Sequence, residues 1–185
     1  FCKAFPSVKF DDSGFLQSVI HFEEHTLVCL DTLNFPYSAD TKHQGVLCER
    51  RLSWLEKQLK AGERKKITLF MHHPPFAVGF KAMDRIRLTN SEKFFAILDK
   101  YRNVIHIISG HIHRTISGNI RGYGFSVFKS TCHQMPMMFK SENVKLSTVE
   151  PAAYGILCLD HTGVIVHSED YELVMKNKKV FGKYY

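Results

Sequence analysis

The 185 residues predict an α/β (α+β) fold with a mixed sheet. Three observations carry that expectation. Two amphipathic helical stretches are each followed by a short apolar run. Three pairs of β-rich runs flank turn-forming residues. Polar residues come directly after both apolar runs, at the strand ends where open α/β sheets build their sites.

Taken in order, residues 16–22 and 26–31 are β-rich and flank Glu23-Glu24-His25, which predicts a hairpin. Residues 34–44 are polar, contain Pro36 and read as a loop. Leu47, Leu52, Leu55 and Leu59 recur at helical spacing beside Trp54, and Gly62 stands where that helix stops. Residues 67–71 then predict a buried strand that ends at His72-His73-Pro74-Pro75, and 76–88 read as a loop. Asn90 or Ser91 caps a second helix through about Lys100, with Phe94, Phe95, Ile97 and Leu98 as its apolar positions. Residues 104–108 predict a second buried strand, ending at Ser109-Gly110-His111-Ile112-His113-Arg114. Residues 115–120 and 124–130 pair around Arg121-Gly122-Tyr123, and 153–160 and 164–167 around His161-Thr162-Gly163. Between these hairpins, 134–149 is polar, Met-rich and loop-like, and the basic, aromatic last residues read as a terminal strand or tail. No repeat or linker divides residues 1–185, so a single domain is expected.

Lysine and arginine number 25 against 18 aspartates and glutamates, a net charge of +7 that favours anionic partners. The longest basic run is Arg64-Lys65-Lys66 and no basic stripe interleaved with aromatics occurs, which disfavours a nucleic-acid binder. No apolar run reaches the roughly 18 residues of a membrane span, and the opening residues lack the features of a signal peptide and an initiator Met. Cys2, Cys29, Cys48, Cys132 and Cys158 are odd in number and form no C-x-x-C, which argues against a disulfide framework or zinc ribbon and for a reducing, cytoplasmic setting.

The chemistry concentrates in the histidines, 11 in all. On an extended segment the i, i+2 spacing of His111 and His113 puts both imidazoles on one side, as a metal pair or as two surface residues. Gly110 lets the backbone approach closely, and neutral imidazoles suit a first-row divalent metal. In His72-His73-Pro74-Pro75 the prolines stop the strand and hold the preceding histidine at the sheet edge. Adjacent strand residues point to opposite sides, so one of His72 and His73 at most is expected to be a ligand.

Together, Leu69-Phe70-Met71-His72-His73-Pro74-Pro75 and Ile107-Ile108-Ser109-Gly110-His111-Ile112-His113-Arg114 resemble the calcineurin-like metallophosphoesterases. Leu52-Ser53-Trp54-Leu55, Asp84-Arg85-Ile86, Ile116-Ser117-Gly118 and Ser130-Thr131-Cys132-His133-Gln134 are similar to the bacterial branch that cleaves cyclic nucleotides and glycerophosphodiesters. The resemblance spans about residues 26–165. It implies the C-terminal part of a four-layer αββα sandwich with mixed sheets. It also implies a phosphodiesterase that attacks a small phosphodiester with the hydroxide of a dinuclear centre of Mn, Fe or Zn ions. By position, His72 and His111 match ligands of one ion, His113 matches a ligand of the other, and His133 matches a histidine facing the substrate phosphoryl group. His73 either orients its neighbour or simply packs, and Arg114 receives no role. His43 lies in a region that borders the site in this family. His21, His25, His106, His161 and His167 read as structural or surface residues, and Asp31 as structural.

The sequence departs from the family by lacking D-x-H, G-D-x-x-D and G-N-H-[DE], the motifs that bring the bridging carboxylate and the leaving-group acid. The chain therefore reads as the C-terminal portion of such a domain, with the catalytic residues themselves unassigned. Three neutral imidazoles offset none of the charge of two divalent ions, so partial metal binding at most and an inactive fragment are expected. The missing strands would leave an open edge or an apolar face, which points to self-association or to a further N-terminal portion. The alternative is a truncated, non-catalytic module that acts through association with another chain.

Overall fold

The computed structural model describes residues 5–36, 38–41 and 43–171. The expected terminal strand or tail falls mostly on 172–185, outside the described residues. The chain runs β1 (Ser18–His21), β2 (His25–Leu30), α1 (Glu49–Ala61), β3 (Lys66–Met71), α2 (Lys81–Asp84), α3 (Ser91–Tyr101), β4 (Val104–Ser109), β5 (Ile116–Ile120), β6 (Tyr123–Val127), β7 (Ala152–Leu159) and β8 (Val164–Tyr171). The three expected hairpins and both helix-to-strand units form. The region expected to be all loop between β3 and α3 contains the short helix α2.

Six strands make one mixed sheet in the order β1-β2-β3-β4-β6-β5, with β2, β3, β4 and β6 parallel and β1 and β5 antiparallel at the edges. The parallel register sorts residues onto two faces. Val28, Leu69, Ile107 and Phe125 stand in one row across the four central strands, all buried. The buried face of α1 (Leu52, Leu55, Leu59) and that of α3 (Phe94, Phe95, Leu98) belong to the same apolar core as that row. The alternate row, Cys29, Phe70, Ile108 and Ser126, faces the other way. There the β7–β8 hairpin meets the sheet. Gly155 has no side chain because any Cβ would collide with Phe128, and Asp160 O takes a hydrogen bond from His25 Nε2 at 2.7 Å.

Helix α1 follows the expected boundaries. Glu49 lies in its first turn and Lys60 in its last, matching the helix dipole, and the Gly62 N–H closes it on Gln58 O at 2.9 Å. Helix α3 begins after Asn90, but the Asn90 side chain does not cap it. That amide instead accepts from Leu47 N (3.1 Å) and donates to Leu47 O (2.6 Å), tying the two helix entrances together. A backbone group 43 residues away competes successfully for the amide that a local cap would use.

Arg51, on the buried side of α1, anchors the end of β2. Its guanidinium donates to Asp31 O (2.8 Å) and Leu33 O (2.9 Å) and pairs with the Asp31 carboxylate at 3.5 Å. This is the structural role expected of Asp31. Arg51→Ala leaves two carbonyls and a carboxylate without their partner, and is expected to lower unfolding stability by roughly 2–4 kcal/mol. Urea denaturation of the two proteins compared at equal m-value measures this directly.

Candidate metal centre

Strands β3 and β4 are parallel neighbours, with Met71 opposite Ser109 at their carboxyl ends. The loops that follow are joined by a hydrogen bond from Gly110 N to His72 O (3.2 Å). His72 and His73 lie beyond the last strand residue, so strand alternation does not separate them. Their ring centroids are 4.8 Å apart, edge to face. The His111 ring sits 4.9 Å from His72 and 4.5 Å from His73. One nitrogen from each of the three lies within 4.8 Å of the others. The expectation that at most one of His72 and His73 is a ligand rested on strand alternation, and both rings stand in the cluster because the chain turns out of the strand at Met71.

The His73 ring is held from outside the triad. The Thr32 hydroxyl meets His73 Nδ1 at 2.8 Å, and the same oxygen accepts from His73 N at 3.4 Å. Gly45 packs directly on His73: a Cβ there would stand 2.5 Å from the ring. Gly45 is clasped in place by Gly45 N to Arg87 O (3.2 Å) and Thr89 N to Gly45 O (2.9 Å). His111 Nδ1 faces His72 Nε2 at 3.1 Å, while His111 Nε2 is buried and has no hydrogen-bond partner. A buried ring nitrogen with no partner is costly unless something is to bind it.

The His111–His113 segment is not extended. His111 has φ 67° and His113 φ 55°, both in the left-handed region that residues with a Cβ seldom adopt. Ile112, between them, is buried in the core. This backbone sends the two imidazoles to different neighbours. His111 joins His72 and His73, while the His113 ring lies 4.6 Å from that of His133 and is not one of the three converging rings. The strain is of the kind that structures retain at functional sites.

His133 is exposed on a loop closed by the fully buried Gln134, whose side chain accepts from Ser130 N (2.9 Å) and donates to Ser130 O (2.8 Å). Its Nδ1 lies 3.2 Å from Cys132 Sγ. His43, His111, His113 and His133 border one cavity of about 450 Å³. Arg114 supports its rim by donating to Met135 O (3.0 Å) and to Glu150 (2.6 Å). Thr32 and Gly45 escaped sequence reasoning entirely, since nothing local marks either as touching a histidine about 30–40 residues away.

Electrostatics keep the triad uncharged. Burial, and then the neighbouring rings, push His111 down to about 3 and His73 down to about 4. Burial and His113 lower His72, and burial and His133 lower His113. Three neutral imidazole donors, one with an orphan nitrogen, fit a single divalent first-row ion. They do not by themselves fit two, because no carboxylate joins the cluster among the described residues.

No protein-family model matches the sequence. The chain is 38% identical over 168 residues to a probable cyclic nucleotide phosphodiesterase of Rhodopseudomonas palustris, covering 90% of this chain and 60% of that protein. This similarity is consistent with a partial calcineurin-like metallophosphoesterase chain. It is also 40% identical over 101 residues to a probable glycerophosphodiester phosphodiesterase of Arcobacter nitrofigilis, covering 50% of this chain and 37% of that one. The chain thus spans no more than about 60% of the length of either relative. Among solved structures, a dimetal phosphatase from Danio rerio superposes with a TM-score of 0.52 at 16% identity, over 63% of this chain and 50% of that one. GAP50 of Plasmodium, described as an anchor in the inner membrane complex, superposes with 0.54 at 13% identity, over 86% and 54%. These two likenesses establish the metallophosphoesterase fold. Among the described residues no helix is long and apolar enough to cross a membrane.

The neutral rings predict how the metal-free chain responds to acid. Folded, His73 and His111 stay neutral down to about 4 and 3, whereas an unfolded imidazole titrates near 6.5. Unfolding therefore takes up protons in this window. The stability present above pH 6.5 is lost progressively as pH falls toward 4. Thermal melts of the chelator-treated protein between pH 7.5 and pH 4.5 are expected to show a falling Tm, with a shallower fall in His73→Asn.

Proposed function

We propose that this chain is the histidine-bearing portion of a metal-dependent phosphodiesterase. The observation that carries the reading is the meeting of His72, His73 and His111 beyond the ends of two adjacent parallel strands. The likeness to named phosphodiesterases supports it. His72, His73 and His111 hold a divalent ion, of Mn, Fe or Zn type. When bound, the ion supplies Lewis-acid polarisation of a phosphoryl oxygen. His133, exposed at the cavity and stacked edge-on against His113, donates a hydrogen bond to a phosphoryl oxygen of the substrate. Thr32 and Gly45 fix the His73 ring so that its direction does not drift between turnovers.

His113 is the remaining imidazole that a second ion would use, and that ion needs a carboxylate from further sequence. The substrate is a small phosphodiester of cyclic nucleotide or glycerophosphodiester type. The unpaired thiols Cys29, Cys48, Cys132 and Cys158 suit a reducing cytoplasm.

A second reading draws on the β7–β8 hairpin. Tyr154, Ile156 and Ile165 leave its outer surface apolar and open, with exposures of 46%, 49% and 57%. A non-catalytic module that associates through this surface would use it as its interface. Sedimentation separates the two readings: association that disappears in Ile156→Lys with metal binding intact favours the module.

The phosphodiesterase reading has direct tests. The 185-residue chain is expected to bind one Mn²⁺ or Zn²⁺ by calorimetry yet hydrolyse bis(p-nitrophenyl) phosphate barely or not at all. A chain extended at its N-terminus is expected to turn over with metal, and His111→Ala to abolish both binding and turnover. Thr32→Val, which removes only the hydroxyl on His73, is expected to weaken metal binding by about 10–100-fold. Unchanged metal binding in His111→Ala would overturn the assignment of the triad.

A further inference from the structure

An arginine directly after His111 and His113 invites the role of a phosphate ligand. The fold commits it elsewhere. Arg114 is not among the residues that border the histidine cavity, and its side chain is only 17% exposed. One nitrogen, Nη1, makes both of its bonds, to Met135 O at 3.0 Å and to Glu150 Oε1 at 2.6 Å. The preceding residue grips the same partner, since Met135 N donates to His113 O at 3.3 Å. The N–H and the C=O of Met135 are therefore both taken, by two consecutive residues of the His111–Arg114 turn.

Met135 lies two residues beyond His133, and the residue between them is fixed as well. Gln134 is fully buried, its side chain closes on both backbone groups of Ser130, and its backbone pairs with that of Thr148. His133 thus sits on a short loop whose end is clasped to the turn that bears His113. The two rings meet edge to face, with centroids 4.6 Å apart and planes at 65°. The clasp also spans the left-handed backbone of His113 (φ 55°), a conformation that persists only where the surroundings hold it.

Glu150 is a fixed partner. Lys129 stands 3.7 Å from its second oxygen, is itself 12% exposed, and pairs with Asp170 on β8 at 2.8 Å. Arg114 therefore spans from a carboxylate anchored to the β7–β8 hairpin to the carbonyl of Met135. Hydrogen bonds from a charged donor are stronger than the neutral 3.3 Å bond beside them. Without the guanidinium, the longer bond from Met135 N to His113 O is left to hold the loop to the turn.

We propose that Arg114 is a positioning residue: anchored on Glu150, it holds Met135 so that His133 stands against His113, and it touches no phosphate itself. What the pair of rings is for rests on the phosphodiesterase reading, in which His133 faces the phosphoryl group. How the pair is held does not, so the two are tested separately.

The test uses the metal-free 185-residue chain with histidine rings carrying ¹³C and ¹⁵N. Ring-proton cross-peaks are expected between His113 and His133 and, independently, between His72 and His111, whose centroids are 4.9 Å apart. Arg114→Ala is expected to abolish the first and keep the second. Arg114→Lys is expected to restore the first, because an ammonium also carries more than one donor on a single nitrogen, as Nη1 does here. A role in stability alone would lower Tm in both variants and leave the His113–His133 cross-peak in place. That cross-peak surviving in Arg114→Ala, or lost equally in Arg114→Lys, would overturn the proposal. If Arg114→Ala does not fold, shown by loss of the His72–His111 cross-peak as well, Glu150→Ala reads the same contact at a part-exposed position that keeps the guanidinium. Its His113–His133 cross-peak is expected to weaken, and an unchanged one overturns the proposal. Failure of the phosphodiesterase reading would appear instead in the metal-binding and hydrolysis measurements.

Discussion

The site depends on the parallel pairing of β3 with β4. That register puts Met71 beside Ser109, so the two chains leave the sheet side by side, and the Gly110 N–H to His72 carbonyl bond keeps them together for one more step. Within that step three imidazoles arrive from two loops about 40 residues apart in sequence. A slip of one residue in either strand would turn the apolar row of Val28, Leu69, Ile107 and Phe125 away from the helices. The core that stabilises the sheet and the geometry that gathers the histidines are therefore the same constraint.

What the triad does chemically follows from its lack of charge. Burial and mutual proximity hold the rings neutral, which is the protonation state that binds metal, and one buried nitrogen of His111 has no other partner. Left-handed backbone at both His111 and His113 is part of this arrangement, because it turns two histidines of one short motif toward different neighbouring rings. Neutral donors alone cannot neutralise a pair of divalent ions. Among the described residues, one group of three imidazoles is placed so that it could take a metal ion, in a chain that spans about 60% of a relative's length.

The histidine side of the cavity and its apolar side, with Met83, Ile86, Met135, Val144 and Leu146, are built by different means. Strand ends and a strained turn fix the histidines, whereas the apolar wall hangs on exposed ion pairs and a stacked pair of phenylalanines. Exposed ion pairs contribute little to stability one by one. The wall is consequently the softer of the two sides, and the more open to change between related proteins without harm to the fold.

The local chemistry of the chain was enough to place nearly every strand and helix. The leucine spacing of α1, the Gly62 stop, the Arg121-Gly122 turn and the abrupt polar ends of β3 and β4 all act within a few residues of one another. The histidine spacing and the abrupt strand ends marked His72, His111 and His113 for attention, and the family resemblance added His133; His72 and His111 stand in the cluster, and His111, His113 and His133 border the cavity. They did not reveal which rings share a point. Strand alternation made His73 an unsuitable companion for His72, and an extended backbone paired His111 with His113. The folded chain reversed both expectations, because it turns at Met71 and enters the left-handed region at His111. The anchors Thr32 and Gly45 and the apolar wall were equally hidden. Periodicity and spacing report on neighbours along the chain, whereas convergence at a site is decided by the register of distant strands and by backbone angles that no local pattern encodes.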